Sequence, residues 1–195
     1  MPKTEANPIA LGTRAADFIL PDADGKLYEL RSFVEKPALL VAFLSNRCPF
    51  VVLLRGALAE FALDYAPKGL QIVAINSNDA SAYPEESLAR IGEERTDAGY
   101  SFPYLKDEAQ TVARAYGAAC TPDLFLFDAE RRLVYHGQFD DARPGNGKPV
   151  TGADLKAAVD ALLAGGKPSP TQIPSIGCNI KWIEGRAPSS LSHAA

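Results

Sequence analysis

Apolar residues in this chain fall into continuous runs and into helical stripes, separated by Gly- and Pro-rich breaks. Ala38 to Leu44 is apolar without alternation, the pattern of a central strand covered on both faces. Leu70 to Asn76 repeats it after the break Pro67-Lys68-Gly69. Between them, Pro49 to Tyr65 carries Val52, Leu58, Phe61, Ala62 and Tyr65 near helical spacing, which predicts a strand, helix, strand unit with a right-handed crossover. Upstream, Phe18-Ile19-Leu20 and Leu27 to Leu30 flank the polar turn Asp22 to Lys26 and predict an N-terminal hairpin.

Downstream, Pro84 to Asp97 and Asp107 to Tyr116 read as helices, the second closed by Gly117. Asp123 to Asp128 and Leu133 to His136 read as a hairpin around Ala129 to Arg132. Asp140 to Pro149 is too rich in Gly and Pro for regular structure, and Ala153 to Leu163 is a last amphipathic helix. Beyond Gly165-Gly166, prolines give way to Ser175 to Trp182, apolar enough for a docked extension with Trp182 as its packing anchor, before a frayed end from Pro188. The organisation is therefore a tail (1–11), one α/β domain (12–165) and a C-terminal extension (166–195).

A chain of 195 residues, 47% hydrophobic, is long enough for one sizeable core. The net charge of −4 offers no basic field for nucleic acid, and no basic amphipathic stretch suggests a membrane surface. Met1 to Pro8 lacks the apolar core of a secretory signal and no run approaches a membrane span, so a cytoplasmic protein is expected. Three widely spaced cysteines fit that setting, and an odd count leaves a free thiol.

The chemistry converges on Cys48, set where a buried strand ends and a Pro-started helix begins. A cysteine there meets the free N–H groups of the helix, with Arg47 and Arg55 near in sequence, and these favour the thiolate. Cys120-Thr121-Pro122-Asp123 supplies a second piece, a proline where a strand N–H is ordinarily needed. No metal-ligand spacing is present, His136 and His193 read as plain surface residues, and Asp140-Asp141 with Arg143 reads as a solvated loop.

The hairpin, the strand ending in Cys-Pro, the crossover and the strand introduced by Thr-Pro together resemble the thioredoxin-like fold, in its peroxiredoxin-like (AhpC/TSA, redoxin) branch. The matching stretches are Asn46 to Val51, Val73 to Asp79, Phe102 to Glu108 and Ala115 to Asp123, within about Gly12 to Leu163. With Asp140 to Gly152 and Ser175 to Trp182, the chain is similar to a bacterial subgroup named only "thioredoxin family protein". The resemblance implies a central mixed β-sheet flanked by helices, and a cis Thr121-Pro122 peptide facing Cys48 where an extended substrate could pair with the Thr121 backbone. It implies a thiol-dependent oxidoreductase in which Cys48 attacks a peroxide or a disulfide, with a thiol reductant, no bound cofactor and a possible homodimer.

Two departures matter. The position three after Cys48 is Val51, which excludes a CxxC disulfide, and the peroxiredoxin Pro-x-x-x-Thr/Ser-x-x-Cys pattern keeps its hydroxyl at Ser45 but has Val41 for the proline. The Arg such enzymes carry before the later strand is also missing. Ser45 is then a candidate for stabilising charge on the substrate, and Pro122 for shaping its groove. Cys120 and Cys178 compete as the resolving thiol. Cys120 is near the site but points away from Thr121 in an extended strand; Cys178 lies on a tail whose mobility would let it fold back. If neither reaches, an external thiol completes the cycle. Monothiol disulfide exchange and a non-catalytic redoxin-fold binding protein are the alternatives.

Overall fold

Ala38–Phe43 forms the middle strand of a five-stranded sheet, and every one of its residues is buried. The computed structural model describes residues 3–188. Its elements, in chain order, are β1 (Lys3–Glu5), β2 (Ile19–Pro21), β3 (Leu27–Glu29), β4 (Ala38–Phe43), α1 (Pro49–Tyr65), β5 (Leu70–Asn76), α2 (Leu88–Asp97), β6 (Tyr104–Lys106), α3 (Thr111–Tyr116), β7 (Cys120–Thr121), β8 (Asp123–Phe127), β9 (Leu133–His136), α4 (Ala153–Leu163) and β10 (Ile176–Asn179). The main sheet runs β6-β5-β4-β8-β9, parallel on the β4, β5, β6 side and antiparallel through β8 and β9. It is a mixed sheet in an α/β, thioredoxin-like architecture. Among the described residues no helix is long and apolar enough to cross a membrane.

The two-residue period of β4 explains why its run has no polar positions. Ala38, Leu40 and Ala42 pack with Leu54, Leu58 and Phe61 of α1 and Leu155 and Val159 of α4. Leu39, Val41 and Phe43 face the other way, into Val112 and Tyr116 of α3 and Phe18, Leu20 and Phe33 around the hairpin. Each large side chain so buried contributes about 1.5–3 kcal/mol. The predicted β2–β3 hairpin is present, with Leu20 opposite Tyr28.

Differences from expectation gather where a polar group is drawn inward. The helix predicted from Pro84 is one 3-10 turn, Pro84–Glu86, followed by α2, because Ser87 is extended and Glu86 is buried against the link after β4. The helix predicted from Asp107 begins only at Thr111. Lys106 still belongs to β6, and the buried Asp107 carboxyl accepts from Ser77 Oγ at 2.9 Å and from Ala113 N at 2.9 Å. His136 is buried rather than on the surface: its Nε2 lies 2.7 Å from Asp123 Oδ1 and its ring stacks on Phe125 at 4.1 Å. Asp140 is likewise buried, accepting from Ala142, Thr151 and Gly152 backbone N–H groups, so that loop is pinned to the start of α4. Trp182 packs against the core, and His193 lies outside the described residues.

The N-terminal tail and the C-terminal extension pair with each other. β10 lies between β1 and β7, antiparallel to both, with Lys3 opposite Cys178 and Cys178 opposite Thr121. Cys178 is thus held in a strand, not on a mobile tail.

Candidate active site

The link Ser45-Asn46-Arg47 carries the chain from β4 to α1, and Cys48 is the N-cap residue of that helix, with extended backbone angles and Pro49 just inside. Its carbonyl accepts from Val51 N and Val52 N, both at 2.9 Å, which starts the helix. Ser45 organises the link. Its Oγ accepts from Arg47 N and Cys48 N, each at 3.2 Å, and its hydroxyl donates to Glu86 Oε1 at 2.6 Å. The Ser45 hydroxyl is thus turned to Glu86, and the residue holds the loop that delivers Cys48.

Glu86 was not foreseen. Its buried carboxyl also accepts from Asn46 N at 3.1 Å and from Asn76 Nδ2 at 2.6 Å, while Tyr104 OH donates to Asn46 Oδ1 at 3.1 Å. With Arg47 N at 3.4 Å, four donors from two separate segments converge on the Glu86 carboxyl. The only signal in the sequence was an acidic pair after Pro84, which looks like any helix start.

The Thr121–Pro122 peptide is cis, as the resemblance implies. Thr121 faces Cys48, whose Sγ–H donates to the Thr121 carbonyl at 3.0 Å. Cys178 stands across β7 in register with Thr121 and lines the same cavity as Cys48. Burial, with the neighbouring Cys48 sulfur adding to it, pushes the Cys178 thiol up to about 12. All three cysteines are free.

Cys120 is set into the core beside the site. It is fully buried, its Sγ is directed at backbone carbonyls of Pro122 and Ser175, and burial followed by the Asp123 charge pushes its thiol well up. It is a core residue, as its place in the strand suggested. Alkylation of the native reduced protein with iodoacetamide is therefore expected to leave Cys120 unmodified until denaturant is added, which peptide mass mapping reads directly.

Cys48 is 1% exposed, more covered than a freely reachable nucleophile, and its cover is Cys178 and the strand that carries it. What remains is a cavity of about 10 Å³, walled by Ser45, Arg47, Tyr83, Glu86, Thr121 and Lys181 among others. The Thr121 hydroxyl, buried in that wall, has no hydrogen-bond partner. Arg47 lies over the Tyr83 ring at 5.2 Å and 3.6 Å from Glu85, and Lys181 Nζ donates to Asn179 O at 2.8 Å. Two cations thus border the opening. Among the described residues no cluster of three or more His, Cys, Asp or Glu could hold a metal ion.

Residues 11–136 match the AhpC/TSA family model. The chain belongs to the AhpC/TSA family. That span contains Ser45, Cys48, Glu86, Thr121 and Pro122, whereas Cys178 lies beyond it. The chain is similar to the crystal structure of a hypothetical protein from Sinorhizobium meliloti 1021, at 71% identity and TM-score 0.92 over 93% of this chain and 100% of that one. It is also similar to that of an uncharacterized conserved protein from Geobacillus kaustophilus, at 48% identity and TM-score 0.92 over 94% and 98%. Among named proteins it is 28% identical over 130 residues to thiol-disulfide oxidoreductase ResA of Geobacillus thermodenitrificans (strain NG80-2), covering 67% of this chain and 70% of that protein.

Proposed function

We propose that this chain is a thiol-disulfide oxidoreductase whose working unit is Cys48 with Cys178. The observation that carries this reading is Cys178, in register with Thr121 across β7 and lining the same cavity as Cys48, beside the cis Thr121–Pro122 peptide. The name of the Geobacillus relative supports it. Cys178 keeps its proton through the neutral range, so Cys48, at the mouth of α1, is the thiol that attacks first.

The thiolate of Cys48 attacks one sulfur of a substrate disulfide. That S–S bond breaks, one half leaves as a thiolate and takes a proton, and the other stays bonded to Cys48. Cys178 then gives up its proton and attacks the Cys48 sulfur; the second half leaves as a thiol and the Cys48–Cys178 disulfide remains. The substrate is reduced by two electrons and the protein dithiol oxidised by two. Arg47 and Lys181 border the cavity and favour negative charge on the departing sulfur.

A peroxide is the second reading, favoured by a cavity of about 10 Å³ with an unpartnered Thr121 hydroxyl in its wall. Attack on the O–O bond leaves Cys48 as sulfenic acid and releases water or an alcohol; Cys178 then displaces a second water to give the same disulfide. Against it, the Ser45 hydroxyl is turned to Glu86 and away from an incoming oxygen.

One equivalent of a small dialkyl disulfide added to the reduced protein is expected to release two equivalents of small thiol while two of the three protein thiols disappear. No release, or release equal to that with Cys48→Ser, removes the reading. Stopped-flow mixing with hydrogen peroxide tests the second version in parallel.

The closing step carries a pH signature. Since Cys178 attacks only after losing its proton, and burial raises that thiol, ring closure from the mixed disulfide is expected to accelerate as pH rises through the alkaline range. Stability runs the opposite way. A thiol raised from 9.0 to about 12 on folding contributes stability that is complete below pH 9 and fades between 9 and 12, a decline that Cys178→Ser flattens in urea titrations.

A further inference from the structure

A polypeptide that presents a cysteine to Cys48 in extended form must line up along β7, because Thr121 supplies the carbonyl that holds the Cys48 thiol. That edge is already taken. β10 pairs with β7 through Cys178 opposite Thr121 and Asn179 opposite Cys120, and β1 covers its far side. Gly177 makes the approach tight: a Cβ there would stand 1.9 Å from the Thr121 carbonyl oxygen, so no other residue lets this strand lie so close.

Both flanks of β10 are tied to the body of the protein. Before it, Ser175 Oγ donates to Gly137 O and Ser175 O accepts from Ala6 N, both at 2.9 Å. After it, Ile180 N donates to Ala119 O at 3.2 Å, and Ile180 is buried in the core face that also holds Phe43 and Phe125. Lys181 N donates to Asn78 Oδ1 at 2.9 Å, and Lys181 O accepts from Gln110 Nε2 and Asp79 N, both at 2.8 Å. A strand held at both ends and wedged at its centre stays in place.

We infer that β10, through Gly177, is the specificity element of this site: it occupies the peptide-pairing edge of β7 and leaves Cys48 to small disulfides that approach from the side bordered by Arg47 and Lys181 without pairing along that strand. The inference rests on the proposed thiol exchange at Cys48. A small disulfide needs no strand partner, whereas an extended polypeptide must pair along β7, where β10 already lies.

The test uses Cys178→Ser protein, so that only exchange at Cys48 is read, and two chromogenic probes with one leaving group: the thionitrobenzoate mixed disulfides of free cysteine and of an extended peptide with one central cysteine. The free-cysteine probe is expected to react about 100-fold faster than the peptide probe or better. Adding Gly177→Val is expected to raise the peptide rate about 10-fold or more relative to the small-probe rate. Equal rates for the two probes, or a ratio that Gly177→Val leaves unchanged, overturn the inference. Reaction with neither probe overturns the thiol reading and takes this inference with it. If Gly177→Val does not fold, hydrogen exchange on the wild-type protein decides: amides of β10 that exchange with the slow class of β4 agree with a fixed strand, and amides that exchange like surface loops contradict it.

Discussion

Cys48→Ser lowers the rate of disulfide reduction by on the order of 10³-fold or more, with stability changed by less than about 1 kcal/mol. The two effects separate because the residue has two separable tasks. As a packing group it is a small buried side chain whose Sγ–H donates to Thr121 O at 3.0 Å, and a serine hydroxyl can make that bond. As a nucleophile it has no substitute: a hydroxyl at that position does not ionise near neutral pH, and Cys178 stays protonated. Cys178→Ser gives the complementary result, a first step that proceeds and a product that stalls as the Cys48 mixed disulfide. Intact-mass measurement during a single turnover distinguishes the two variants. A Cys48→Ser protein that still consumes disulfide within tenfold of wild type would contradict the assignment.

Glu86→Ala produces the largest loss of stability at this site, about 3 kcal/mol or more, which for a chain of this size is a fall in Tm of about 10 °C. The carboxyl accepts from the Ser45 hydroxyl, the Asn46 and Arg47 backbone and the Asn76 side chain, in a place where Glu86 is 2% exposed. Removing it orphans buried donors on the end of β5 and on the link that delivers Cys48, and each orphan costs about 1–3 kcal/mol. The same link sets the position of the Cys48 backbone through Ser45, so thiol exchange slows together with the melting point. Glu86→Gln, which keeps the shape and one acceptor, is expected to lose less on both measures. Urea denaturation with the thiol-exchange rate measured on the same samples checks the pair; an Ala variant as stable as wild type would show that the network does not hold the loop.

The centre of the molecule was legible because its residues answer to one dominant force. The apolar run at Ala38 to Leu44, the Cys48-Pro49 junction and the Thr121-Pro122 turn each have a local cause, burial on two faces, a helix start and a proline at a strand. The edges were not. Lys3–Glu5 and Ile176–Asn179 are short strands whose pairing is set by each other and by β7, far apart in sequence, and neither has the alternation that a longer strand would show. Cys178 was therefore recognised as a candidate for the wrong physical reason: it meets Cys48 by being fixed, with Gly177 as the residue that permits the contact. His136 and Glu86 escaped for another reason. A buried polar side chain is justified only by its partners, here Asp123 and the 45–47 link, and partners distant in sequence leave no periodic trace.

The most direct measurement is peptide mass mapping of the fully reduced protein after one equivalent of small disulfide, with free thiols blocked before digestion. The account predicts one new cross-linked species, joining the peptide that holds Cys48 to the peptide that holds Cys178, with Cys120 recovered as the blocked thiol. A Cys48–Cys120 link, or a Cys48 adduct that persists while Cys178 stays a free thiol, would contradict it.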